Sequence, residues 1–156
     1  MPTTPSSVRW RWTSEPLSER VIRNAERALG FDFPADYRAC ARDNHGGAPE
    51  PADFLMDLGP GRRLAGSVGL LLSLDPRQDE NVLATVQLLT AESRLPPGLI
   101  PIIDDGSGRF ICLDYRADAS KKAPTIAYFS TDHEVILVAD DFTAFLGLLG
   151  KALDGP

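Results

Sequence analysis

The sequence is poor in the residue types from which most active sites are built. Its 156 residues hold two cysteines, Cys40 and Cys112, and two histidines, His45 and His133. Each cysteine is flanked by apolar or small residues, so the pair reads as buried free thiols in a reducing compartment rather than a disulfide framework. No C-x2-C or H-x3-H element occurs, and Cys40 and His45 are spaced beyond the i, i+4 reach of one helical face, so no zinc ligand set is expected. Basic charge is also scarce. Sixteen Lys and Arg against 22 Asp and Glu give a formal net charge of -6, which disfavours phosphate backbones and anionic lipid. The small clusters Arg62–Arg63 and Lys121–Lys122 fall short of a polybasic patch. No apolar run approaches the roughly 18 residues of a membrane span, and "MPTTPSSVRWRW" lacks the apolar segment of a secretory signal. A soluble cytoplasmic protein is expected, with neither nucleic acid nor membrane as partner.

What is present suits one ordinary globular domain. Hydrophobic residues make up 43% and charged residues 24%, far from the composition of disordered chains. A chain of this size removes about 70% of its unfolded surface from water, so a real core is expected. Residues 1–16, rich in Pro, Ser and Thr, read as an extended arm whose large anchors are Trp10 and Trp12, one of which should pack on the domain edge. Residues 17–154 read as a single α+β domain.

Within that domain the periodicity changes from helical to strand-like. Ser18 reads as an N-cap, Val21, Ile22, Ala25, Ala28 and Leu29 recur at helical spacing, and Gly30 stops the run. Pro34 and Asp36 suit the first turn of a second helix whose inward stripe is Tyr37, Cys40 and Ala41, closed by Asn44 to Gly47. Residues 48–66 predict loops around one edge strand, and "SVGLLLSL" at 67–74 predicts another strand. Asp75 and Pro76 look like the cap and first turn of a third helix, with Val82, Val86 and Leu89 or Leu83, Val86 and Leu89 on one face. Four short strands should follow, at 99–103, 109–115, 125–129 and 134–139, and connections this short favour an antiparallel meander. Asp140 or Asp141 then caps a last helix carrying Phe142, Phe145, Leu146 and Leu149 on the face laid across the sheet.

The stretch "DDGSGRFICLDY", Asp104 to Tyr115, invites a catalytic reading because it sets two carboxylates before two glycines. Acid–base pairs need carboxyls held apart across a substrate, whereas neighbours on a strand point apart. A calcium loop needs further oxygens at alternating positions, which Ser107, Gly108 and Arg109 do not continue. No G-x-S-x-G elbow exists, and "GSG" lacks the Lys and helix of a phosphate loop. The reading that gives every residue a job is a turn, with Asp104 and Asp105 bonding local N–H groups and the glycines supplying positive φ. His133 with Glu134 likewise reads as a solvated turn with a local ion pair.

In combination these segments resemble one family. "ERALGFDFPADYRACARDNHGGAPE" resembles the signature of the SUKH superfamily, whose yeast cell-wall-regulator branch runs helix, Leu-Gly, apolar-Pro, Tyr, Asn-Gly-Gly. The matching positions are Leu29, Gly30, Phe33, Pro34, Tyr37, Asn44, Gly46 and Gly47, with His45 interposed as a departure. Downstream, Pro101 in "IPII", Gly108 in the acidic turn, the Cys-Leu-Asp strand, and Phe142 and Phe145 in "ADDFTAFLGLL" are similar to its later elements. The resemblance implies an α+β fold with helices against a twisted, mainly antiparallel sheet. It further implies a nonenzymatic protein-binding role without cofactor or metal. Bacterial members act as immunity proteins that neutralise toxin domains, and eukaryotic members act in regulatory assemblies. Asp104, Asp105, Asp114 and Glu134 would then edge an acidic binding face for a basic toxin surface. Rival expectations are an intracellular scaffold module and a hydrolase using Asp104 or Asp105 with a divalent metal.

Overall fold

The computed structural model describes residues 8–92, 94–130 and 134–150. Its first element ties down the arm. Strand β1 (Arg9–Arg11) pairs antiparallel with β2 (Ala48–Glu50), and Trp10 packs against the core. Trp12 does the opposite: it is 79% exposed, at a φ of 62° that bulky residues rarely adopt.

Helix α1 (Glu19–Leu29) begins where expected, with Ser18 Oγ accepting from the Val21 N–H at 3.2 Å. It ends at Gly30, whose φ of 82° lets its N–H reach the Glu26 carbonyl. Helix α2 (Ala35–Asn44) starts one residue later than expected. Pro34 stands outside the first turn, and its carbonyl takes the first helical bond from the Arg38 N–H at 3.0 Å. Tyr37 and Ala41 are buried, and the Tyr37 ring meets Phe33 and Phe142 edge-on.

The middle of the chain departs most from expectation. Residues 48–66 supply not one edge strand but β2 and a hairpin of β3 (Asp53–Asp57) and β4, which extends from Arg63 to Ser67. β3 alternates in and out through buried Phe54 and Met56, whereas "RLAGS" in β4 is exposed along most of its length and carries no alternation to read. The strand expected over 67–74 shrinks to β5 (Leu70–Leu71): Ser67 belongs to β4, and Gly69 lies so close to β6 that a Cβ would stand 2.7 Å from the Asp104 carbonyl oxygen. Helix α3 (Val82–Ala91) starts at Asn81, whose Oδ1 accepts from Ala84 N–H at 2.7 Å. Asp75 caps nothing there and instead grips Arg77.

The remaining strands, β6 (Leu99–Asp104), β7 (Phe110–Asp114), β8 (Thr125–Phe129) and β9 (Val135–Ala139), form with β5 a five-stranded sheet in chain order, antiparallel throughout. β6 and β7 are buried on both alternations, so both sheet faces are covered. Helix α3 packs on β6, and helix α4 (Phe142–Leu148) packs on β8, β9 and α2 with Phe142 and Phe145 inward. Asp141, not Asp140, is its cap, accepting from Ala144 N–H at 2.8 Å. The fold is therefore α+β, as expected.

Candidate functional site

The acidic stretch forms the turn between β6 and β7. Asp104 Oδ1 accepts from Gly106 N–H at 2.8 Å. Asp105 Oδ1 accepts from the Ser107 N–H, the Ser107 hydroxyl and the Arg109 N–H, and its Oδ2 accepts from the Tyr128 hydroxyl at 3.2 Å. Gly106 and Gly108 sit at φ of 91° and 92°, the conformation that glycine adopts at no steric cost. The two carboxylates differ in kind: Asp105 organises its loop, while Asp104 makes one local bond and keeps most of its acceptor capacity. Burial pushes the Tyr128 hydroxyl's pKa up, with the Asp105 charge adding to it.

Register decides which acidic residues share a surface. Asp104 pairs with Phe110, Phe110 with Phe129, and Phe129 with Val135, so Asp104, Asp105 and the exposed Glu134 lie at one end of the sheet. Asp114 pairs with Leu99 and Thr125 at the opposite end. It is further held by Arg116, whose N–H, Nε and Nη2 all bond it within 3.1 Å. Asp114 is thus separated from the other three expected residues, because the turn joining β6 to β7 and the far end of β7 are a strand length apart. His133, read with Glu134 as an ion-paired turn, lies outside the described residues.

A second concavity, of about 380 Å³, lies between the arm and the loop before α3, lined by Ser14, Glu15, His45, Asp75, Arg77 and Gln78 among others. His45 is buried. Its Nε2 bonds the Glu15 carbonyl at 2.7 Å and its Nδ1 bonds Ser73 Oγ at 2.8 Å. A carbonyl only accepts, so Nε2 carries a proton; Ser73 Oγ, which accepts from Asp75 N–H, is the Nδ1 partner. Asp75 is held below the usual carboxylate range by hydrogen bonds from the Arg77 side chain and backbone. His45, Ser73 and Asp75 are thus each engaged by neighbours within the fold. The sequence marked His45 as a departure from its motif, but the partners it would find on two other segments left no local signal.

The motif residues are structural. Gly46 donates to the Leu71 carbonyl at 2.7 Å and Leu71 donates back to the Gly47 carbonyl at 2.9 Å, so this pair closes the β5 edge of the sheet. Gly47 has no room for a side chain, since a Cβ would stand 2.7 Å from Thr13 Cγ2 and 2.9 Å from the Arg11 carbonyl. Leu29 packs against the core, Asn44 Nδ2 reaches Cys40 Sγ at 3.7 Å, and Pro101 sits where the β6–β7 register shifts. Tyr37 is the exception to full pairing: its buried hydroxyl has no hydrogen-bond partner among the described residues, and burial raises its pKa well above the ordinary value.

The sequence model of the SMI1 / KNR4 family (SUKH-1) matches residues 16–147. The chain belongs to this family. The match runs from the end of the arm through all but the last residue of α4, so every motif position described above falls inside it. No curated protein matches the chain. As a SUKH-1 member it holds, among its described residues, no group of three His, Cys, Asp or Glu arranged to hold a metal, and no helix long and apolar enough to cross a membrane.

Proposed function

We propose that this SUKH-1 protein is a cytoplasmic immunity protein, which acts by binding rather than by catalysis and neutralises the toxin domain of a polymorphic or contact-dependent system. The observation that carries the reading is the pairing of family membership with the acidic sheet end formed by Asp104, Asp105 and Glu134. The three carboxylates outnumber Arg109 of the same turn; a surplus of one sign on exposed turns raises the association rate with a basic partner more than it adds affinity, and the net charge of -6 has the same sign. The engaged state of His45, Asp75 and Asp105 supports binding over acid–base chemistry.

Co-expression with the C-terminal domain encoded by the adjacent reading frame tests this. Growth rescue with a stable complex is the expected result. A housekeeping gene neighbourhood with several weak partners would instead favour a regulatory protein-binding module of the same family. Asp104→Asn should slow association with a basic toxin domain and leave stability unchanged. A hydrolytic activity lost in the Asp104→Asn, Asp105→Asn double variant would sink the nonenzymatic reading.

A further inference from the structure

The two edges of the five-stranded sheet are treated differently. At β5 the edge is closed by the exchange of bonds with Gly46 and Gly47. At β9, among the described residues, no backbone hydrogen bond reaches the strand from outside its pairing with β8. An unpaired strand edge is a template for another chain, and proteins usually blunt such edges with Lys, Pro or a bulge. β9 carries neither Lys nor Pro, and its one irregularity is the extra residue Val138, where the register with β8 shifts between Leu137 and Ala139. Its sequence, "VILVA", is wholly apolar and every residue is at least partly exposed, Leu137 to 60%. Acidic residues bound it at both ends, Glu134 on one side and exposed Asp140 and Asp141 on the other.

We infer that β9 is a docking edge for an extended segment of a partner protein, apolar at its centre and flanked by Lys or Arg, which adds to the sheet as a sixth strand. Main-chain bonds along β9 supply the attachment, and the side chains beside Leu137 supply selectivity. Charge chooses the occupant. Two copies paired antiparallel about Leu137 would bring Glu134 against Asp140 or Asp141 at both ends, and a parallel pair would set each acid beside its twin. Like charges directly opposite destabilise strand pairs, so a second copy is disfavoured and basic flanks are favoured. This inference rests on the protein-binding reading above but names the surface and the chemistry of its partner.

The test uses the full chain and a synthetic peptide in which alternating Val and Thr lie between paired lysines, with a twin carrying paired glutamates. Amide hydrogen exchange should slow about ten-fold or more across β9 with the lysine peptide and little with its twin. Leu137→Lys, on a side chain already exposed, should remove the protection without lowering the melting temperature. The double reversal Glu134→Lys, Asp140→Lys should exchange the preference between the two peptides, which keeps the test decisive if Leu137→Lys misfolds. Protection that is equal for both peptides, absent from β9 or retained in Leu137→Lys overturns the inference. So does a wild-type dimer in sedimentation that Leu137→Lys dissociates, because the occupant would then be a second copy. If Leu137→Lys still rescues toxin-expressing cells, the edge proposal falls while the immunity reading stands; peptide protection with no toxin rescue gives the reverse.

Discussion

Asp36 and Thr143, 107 positions apart, are joined by two hydrogen bonds: Asp36 Oδ2 accepts from both the Thr143 N–H and its hydroxyl, each at 2.9 Å. One carboxylate in the first turn of α2 thereby satisfies an orphan donor at the start of α4, holding Phe142 against the Tyr37 ring. Asp36→Ala should cost about 1 kcal/mol, since the pair is partly solvated, and Thr143→Val should cost a similar amount. Urea unfolding of the two single variants and the double variant checks this, because a shared interaction makes their effects less than additive.

His45 bridges three segments through two ring nitrogens. His45→Ala removes both bonds from a buried site and leaves a void, so stability should fall by about 2–4 kcal/mol. Hydrogen exchange should show the loosening first in residues 13–17 and 73–75. A fall under half a kcal/mol would mean that the bridge is incidental.

Gly47→Ala forces a methyl group against the arm and the α2 terminus. The expected cost is about 1–3 kcal/mol. Gly59→Ala makes a useful contrast, because no atom lies within 4 Å of the added carbon and its penalty is confined to backbone φ. Thermal unfolding separates a collision from a conformational cost.

Asp118 accepts from the Ser120 hydroxyl and from the N–H groups of Ser120, Lys122 and Ala123 in the loop between β7 and β8. These bonds, the Ser120 hydroxyl first, bring its pKa from the ordinary 3.8 down to about 2. Folding thus favours the ionised carboxyl: its contribution is complete above the ordinary range and is lost as pH falls through about 2. A carboxyl carbon titration should give a midpoint near this value, and Asp118→Asn should flatten the stability profile between the two pKa values. A midpoint at 3.8 would contradict the loop geometry.

Burial raises the thiol pKa of Cys112 and pushes that of Cys40 up to about 12, where the Asn44 hydrogen bond only partly opposes it. Thiolate is the reactive form, so neither cysteine should react with a disulfide reagent at pH 8 in the native protein. Both should react promptly in denaturant. Fast labelling of Cys40 under native conditions would mean that α2 opens locally.

The parts of this fold that could be read from sequence are those fixed by neighbours in the chain. Ser18 and Gly30 bracket α1, Asp141 caps α4, and strands β6 to β9 carry strong apolar patterns between turn residues. β4 was not legible because an exposed strand of small and basic residues carries no period. The start of α3 does not follow from local spacing, because Asp75 and Pro76 imitate a cap that Asn81 supplies. At the acidic turn, the local bonds of Asp104 and Asp105 follow from spacing alone, whereas the separation of Asp114 from them depends on strand register, and the bond from Tyr128 to Asp105 on tertiary pairing.

The N–H of Gly150 donates to the carbonyl of Asp53 at 2.7 Å, and a Cβ on Gly150 would strike Pro51. The same short segment receives β1 through Glu50. The two ends of the described chain therefore meet on residues 48–53, near one-third of the way along it. During synthesis this segment leaves the ribosome early but acquires its last backbone partner only when residue 150 has emerged. A non-local closure of this kind is slow because loop entropy is lost before the contact forms. Until α4 arrives, Phe54 on the inner side of β3 also lacks the Phe145 ring that it meets edge-on, so closure of this segment waits on residues 142–150 rather than on the central sheet.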